Sequence, residues 1–170
     1  MKILTIYYSL TGNNKKLVHY LQEKTNCETF EIKTKKKVGF GSIFCGLVFK
    51  TKPKLAPYSI DFKQYDKVIF ISPIWFGKLS YPLKSFLIKE KLNIPDYSFL
   101  SICLGGQKDK IESELKSIVN KKPFYIEEFG LKKFIENGSL KMGDKLDEES
   151  FEKLKKEIDN TLKIMFSDND

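Results

Sequence analysis

Two short runs that are apolar at almost every position set the limits on this fold. They are Ile3-Leu4-Thr5-Ile6-Tyr7 and Lys67-Val68-Ile69-Phe70-Ile71-Ser72. A strand with one solvated face alternates apolar and polar residues, whereas a strand covered on both faces does not. Both runs therefore predict central strands of a sheet sandwiched between helices.

The intervening segments carry the helical period. Lys15 to Lys24 places Leu17, Val18 and Leu21 on one face, and Asn26 suits the end of that helix. A second strand is expected from about Cys27 to Lys33, where Thr29-Phe30-Glu31-Ile32-Lys33 alternates. Pro82 to Glu90 reads as a helix with proline in its first turn and Leu83, Phe86 and Leu87 together. Tyr97 to Leu104 is a fourth strand, and Asp109 to Asn120 a helix with Ile111, Leu115, Ile118 and Val119 in register. Phe124-Tyr125-Ile126 opens a fifth strand, drawn toward Phe134 with a break at Gly130. A long helix starts at Asp147 or Ser150, with Phe151, Leu154, Ile158, Leu162 and Met165 three or four apart. Strands alternating with helices predict an α/β chain with a parallel sheet covered on both faces. Right-handed crossovers reduce the topologies to a few doubly wound orders.

With 170 residues, a single domain over 1–166 is expected, with residues 167–170 as a frayed tail. Cys27, Cys45 and Cys103 form no close pair and no metal-ligand spacing, which fits a reducing, cytoplasmic location. The N-terminus lacks the pattern of a signal peptide, and no run approaches the ~20 apolar residues of a membrane span. The net charge of +8 raises a nucleic-acid role. Every basic residue is lysine, however, and arginine, the residue of bidentate base contacts, is absent, so no specific nucleic-acid partner is expected. Seven lysines and no acid lie from Lys33 to Lys54, around the apolar stretch Phe40 to Phe49. That segment reads as the second covering helix, capped by Ser42, in preference to a basic docking surface for a membrane or an acidic partner.

Ligands of doubly wound sheets bind beyond the carboxyl ends of the strands, where the strand order reverses. Three loops follow strands there. The first is Ser9-Leu10-Thr11-Gly12-Asn13-Asn14, leading into the first helix. Unpaired N–H groups at a helix N-terminus attract anions, Ser9 and Thr11 add hydroxyls, and Gly12 permits close approach. It matches neither G-x-x-x-x-G-K-[ST] nor G-x-G-x-x-G. Alone it reads equally as a bare turn with Asn13 or Asn14 as N-cap. The second loop, Pro73-Ile74-Trp75-Phe76-Gly77, holds the only tryptophan and offers an apolar wall on which a planar ring can stack. The third, Leu104-Gly105-Gly106, offers backbone amides. The only histidine, His19, lies away from all three, and no catalytic residue is assigned.

Together these motifs resemble the flavodoxin-like family. Its phosphate loop [ST]-x-T-G-x-[TN] is matched by Ser9, Thr11, Gly12 and Asn14. Its Y-D before strand three is matched by Tyr65-Asp66, and its P-x-W-x-G by Pro73, Trp75 and Gly77. Gly105-Gly106 follow strand four as a glycine pair does in many members. The resemblance covers residues 1–120. It implies a three-layer, doubly wound, five-stranded sheet of order 2-1-3-4-5. It also implies FMN, with its phosphate on residues 9–14 and its ring between loops 73–77 and 104–107. The function implied is electron transfer between a reductase or NAD(P)H and a protein or small acceptor such as a quinone. An NAD(P)H-dependent quinone or flavin reductase is the alternative, followed by a flavin-free binding module. Reductases of this fold often dimerise, so a homodimer is allowed.

The sequence departs from that pattern in several places. Asn14 stands where many members have Thr, with an amide able to donate to phosphate. Lys15 and Lys16 oppose the helix dipole unless an anion is bound. The third loop lacks the stacking aromatic and the acids of electron-carrier flavodoxins, and Gln107-Lys108 follow instead. A unit charge about 8 Å away, at an effective dielectric near ~40, contributes roughly 1 kcal/mol. A lysine-rich surround is therefore expected to favour the anionic reduced flavin and make its potential less negative.

Overall fold

The computed structural model describes residues 1–36, 38–39, 53–138, 140 and 143–167. The apolar stretch 40–49, with its expected helix and Ser42 cap, and the tail 168–170 lie outside the described residues.

The two apolar runs are adjacent in the middle of a parallel sheet. Strands β1 (Ile3–Tyr7), β2 (Glu28–Glu31) and β3 (Lys67–Ile71) are followed by a short antiparallel hairpin, β4 (Ile74–Trp75) and β5 (Lys78–Leu79). Then come β6 (Asp96–Cys103) and β7 (Tyr125–Gly130). The five-stranded sheet has the order β2-β1-β3-β6-β7. Leaving the hairpin aside, this is the expected 2-1-3-4-5. Each pair is parallel, with Leu4 opposite Val68 and Phe70 opposite Phe99 in register.

The helices are α1 (Asn13–Thr25), α2 (Tyr81–Glu90), α3 (Lys108–Val119), the short α4 (Lys132–Glu136) and α5 (Glu148–Ser167). The chain winds one way from β1 to β2 and the other way from β3 to β6 and β7. Right-handed crossovers therefore put α1 and α2 on opposite faces. Ile69 and Ile71 of β3 pack with Leu17 and Leu21 of α1 and Leu154 and Ile158 of α5. Val68 and Phe70, alternating with them, pack with Leu83 and Phe86 of α2 and Ile111 and Leu115 of α3. That double coverage is why the strand reads as unbroken apolar sequence. No helix among the described residues is long and apolar enough to cross a membrane.

The structure adjusts four local expectations. Helix α1 begins at Asn13, and its N-cap is Gly12, not either asparagine. Segment 73–77 is half hairpin, because Trp75 pairs with Lys78 across a two-residue turn. The fifth strand stops at Gly130, and Phe134 lies in α4, since Leu131 already packs into the core with α5. The second strand is shorter than expected, with Cys27 just outside it, buried beside Thr5. Asn26 and Asn120 end α1 and α3 in the left-handed conformation, each donating its N–H back to the last turn.

Candidate functional site

The three loops converge. A cleft of about 550 Å³ opens at the carboxyl ends of β1, β3 and β6, where the strand order reverses. That volume lies within the range of small-molecule sites. From the first loop, Leu10, Thr11 and Asn13 line it; from the second, Pro73, Ile74, Trp75, Phe76 and Gly77; from the third, Leu104 and Gly105. Ser9, Gly12, Asn14 and Gly106 are not in the lining.

The first loop is wound around Ser9. Its Oγ accepts the N–H groups of Gly12 at 3.2 Å and Lys15 at 3.3 Å, so a hydroxyl six residues upstream caps α1. Gly12 has φ 99°, and a Cβ placed there would meet no atom within 4 Å. No described residue fills the space above the turn. The first-turn N–H groups of Asn13 and Asn14 have no acceptor within the helix. Both asparagine side chains are tied to distant backbone. Asn13 donates to the Asp144 carbonyl at 3.0 Å and accepts the Leu146 N–H at 2.9 Å. Asn14 donates to the Ile102 carbonyl at 3.2 Å and accepts the Ile102 N–H at 2.9 Å. An anion above α1 would thus meet backbone N–H groups and the Ser9 and Thr11 hydroxyls, while Asn14, buried against Ile102, lies outside the cleft lining. Lys16 is turned away as well, bound to the Leu146 carbonyl and the Glu148 carboxylate. Lys15 remains exposed at the first turn.

The second loop forms the aromatic wall. Trp75 stands edge-on to Tyr8, with ring centroids 5.8 Å apart, and to Tyr81 at 5.6 Å. It covers the ends of the strands and lines the cleft together. Burial pushes the Tyr8 hydroxyl up to about 12, so it stays protonated. Phe76 and Gly77 turn the hairpin with φ 52° and 72°, the left-handed pair that a two-residue turn demands. The base of the hairpin is closed by the buried Ser72 and Ser80 hydroxyls. It is fastened to α3 by Glu114, which accepts the Leu79 N–H at 2.9 Å and pairs with Lys84 at 2.6 Å.

The third loop is held from below. Gly105 and Gly106 have φ 86° and 80°. The Gly105 N–H points to Cys103 Sγ at 3.3 Å, and the Gln107 N–H donates to Glu128 Oε2 at 3.0 Å. Burial, with the Glu128 charge second, pushes the Cys103 thiol up to about 11, which leaves it un-ionised near neutrality. The loop contains no acid of its own, but β7 brings Glu127 and Glu128 beside it. Lys108 pairs with Glu127 at 3.3 Å.

A fourth wall escaped the sequence reading. Leu131, Ile135, Leu140, Gly143 and Asp144 line the cleft from the segment after β7. Gly130, read as a break inside a strand, was the available signal: it ends β7 on the same side of the sheet. Ile102, Cys103, Gln107 and Lys110 complete the lining. His19 is exposed on α1, and no group of three or more potential metal ligands exists among the described residues.

No family model matches this chain, and no curated protein matches it. Solved structures do. A flavoprotein of Lactobacillus acidophilus NCFM in complex with FMN aligns with a TM-score of 0.66 at 18% identity, over 82% of this chain and 99% of that one. The apo-form of the Lactobacillus acidophilus flavoprotein aligns with a TM-score of 0.59 at 21% identity, over 75% of this chain and 89% of that one. A protein of Bacteroides eggerthii aligns with a TM-score of 0.66 at 15% identity, over 82% and 99%. At these identities the likeness is one of fold.

Proposed function

We propose that this chain, whose fold is flavodoxin-like, binds FMN in the cleft and transfers electrons between a reductase or NAD(P)H and a protein or small acceptor. One observation carries the reading: an open anion seat at the start of α1 and an aromatic wall at Trp75 belong to one cleft of suitable volume at the strand-order reversal. The FMN complex of the Lactobacillus acidophilus flavoprotein, built on the same fold, supports it.

FMN, when bound, supplies the redox chemistry, and the protein supplies binding, orientation and electrostatics. Ser9, Thr11 and the first-turn N–H groups of α1 would receive the phosphate. Pro73, Ile74, Trp75, Phe76 and Gly77 would flank the ring on one side, and Leu104 and Gly105 on the other, with Gly106 shaping the turn behind them. No side chain is assigned a catalytic proton transfer. The free thiols of Cys27 and Cys103 suit a reducing compartment such as the cytoplasm.

Reconstitution with FMN tests this, followed by visible absorbance and quenching of flavin fluorescence. Thr11→Leu, which fills the seat without touching the core, is expected to weaken binding tenfold or more, about 1.4 kcal/mol. A colourless protein that FMN does not reconstitute would favour the flavin-free binding module instead.

One feature favours a reductase as the second reading. The third loop presents Leu104, 46% exposed, where a stacking aromatic would close the cleft. Sustained NAD(P)H oxidation with a quinone present would select the reductase over the carrier.

A further inference from the structure

Glu128 occupies an unusual position. Its Oε2 accepts the Gln107 N–H at 3.0 Å, while its Oε1 is sealed from solvent and has no hydrogen-bond partner among the described residues. The neighbouring lysine does not relieve it, because Lys108 pairs with Glu127 instead. A buried carboxylate oxygen with nothing to neutralise it destabilises a fold. Replacement by an apolar residue would remove that penalty but leave the Gln107 N–H without its acceptor.

The loop above Glu128 explains what it does there. Gly105 and Gly106 both sit in the left-handed region, and a Cβ on Gly106 would meet no atom within 4 Å. Two adjacent glycines of this kind do not fix their own path. The segment is pinned at its two ends, by Cys103 Sγ under Gly105 and by Glu128 under Gln107. Gln107 and Cys103 both line the cleft, so the carboxylate lies one residue behind the wall. Its charge reaches that wall, since it adds to burial in holding the Cys103 thiol protonated.

Resting on the FMN reading above, we propose that Glu128 is a positioning residue with two effects: it latches the glycine loop against the flavin through the Gln107 N–H, and its carboxylate disfavours the anionic reduced flavin. The acidic surround missing from the loop's own sequence is thereby supplied from the adjacent strand. Lys110, which lines the cleft from α3, works in the opposite sense, so the potential reflects both.

Glu128→Gln and Glu128→Ala separate the two effects. Glutamine keeps an acceptor for the Gln107 N–H and removes the charge, whereas alanine removes both. The latch is read without flavin, by amide hydrogen exchange followed by NMR. Gln107 is expected to be protected in wild type and Glu128→Gln, and to exchange at least tenfold faster in Glu128→Ala. The charge is read by titrating FMN in its oxidised and reduced forms. In Glu128→Gln the ratio of the two dissociation constants should move about tenfold toward the reduced form, about 30 mV for a two-electron couple. In Glu128→Ala the oxidised form should also bind several-fold more weakly. Equal Gln107 exchange in all three proteins overturns the latch. An unchanged ratio in an FMN-loaded Glu128→Gln protein overturns the charge effect. A chain that takes up no FMN overturns the flavin reading and the charge effect with it, while the exchange result still decides the latch.

Discussion

The side-chain amide of Asn14 pairs with the backbone of Ile102 as a neighbouring strand would, accepting its N–H at 2.9 Å and donating to its carbonyl at 3.2 Å. Pairing between β3 and β6 ends at Ile71 and Leu100, so Ile102 has lost its strand partner on that side. Asn14, 3% exposed, takes its place and ties the start of α1 to the end of β6.

Replacing Asn14 by Thr, the residue common in the resembling family, is therefore expected to destabilise the protein. A threonine hydroxyl is too short to serve both Ile102 groups, and leaving them unpaired in the core costs about 2–4 kcal/mol. Urea unfolding measures it. A variant as stable as wild type would show that Asn14 does not carry the clamp.

The hairpin tip is strained at Phe76, and relieving it should stabilise the chain. A bulky residue with φ 52° gains little from burial here, as Phe76 is 70% exposed. Asn suits that turn position, so Phe76→Asn is expected to raise stability by about 1 kcal/mol in thermal melts. FMN affinity should fall in the same variant, because the aromatic wall is shortened.

Gly77 carries two constraints that a double-mutant cycle resolves. A Cβ there would sit 2.8 Å from Gln107 Oε1, and φ is 72°. Gly77→Ala should destabilise by about 1–2 kcal/mol. Adding Gln107→Ala should recover the steric share and leave the backbone share.

Cys103 should resist alkylation in the folded state. With its thiol pushed up to about 11, little of it is thiolate at pH ~8.5, where an ordinary thiol is half ionised. Iodoacetamide labelling, followed by peptide mass mapping, should be slow in buffer and fast in denaturant. Rapid labelling of the native protein would contradict the burial.

Asp147 gives a pH signature. It accepts the Ser150 N–H at 2.7 Å at the start of α5, and that bond holds its carboxyl below the usual range, with Lys153 and Lys16 adding to it. A depressed carboxylate contributes stability above its unfolded pKa and loses it as pH falls through the folded value. The stability gap between wild type and Asp147→Ala should be present at pH 7 and close on acidification below the usual aspartate range. A gap that stays constant down to pH ~2 would mean the charge plays no part.

The strand order and the three loops were legible because they depend on local signals. Double coverage of β1 and β3 writes unbroken apolar runs, and Ser9, Gly12, Trp75 and Gly77 sit at turns whose chemistry is readable. The uses of Asn13 and Asn14 were not legible. Their hydrogen-bond partners, Asp144, Leu146 and Ile102, are 88 to 133 residues away in sequence. A polar residue beside an anion seat looks the same on the page whether it faces the ligand or the core. The hairpin at 74–79 was hidden because its strands are two residues each, too short for a period. Glu128 was invisible as a loop partner because only strand pairing carries it beneath Gln107.

The fastening of α1 to the far end of the chain also fixes an order of events. Asn13 holds the backbone at Asp144 and Leu146, and Lys16 holds Leu146 and Glu148. A chain emerging N-terminus first can form β1, α1 and the Ser9 turn early. The rim at Asn13 stays without its partners until the last strand and the start of α5 have emerged. A partly made chain therefore presents the turn at Ser9 but not the finished cleft.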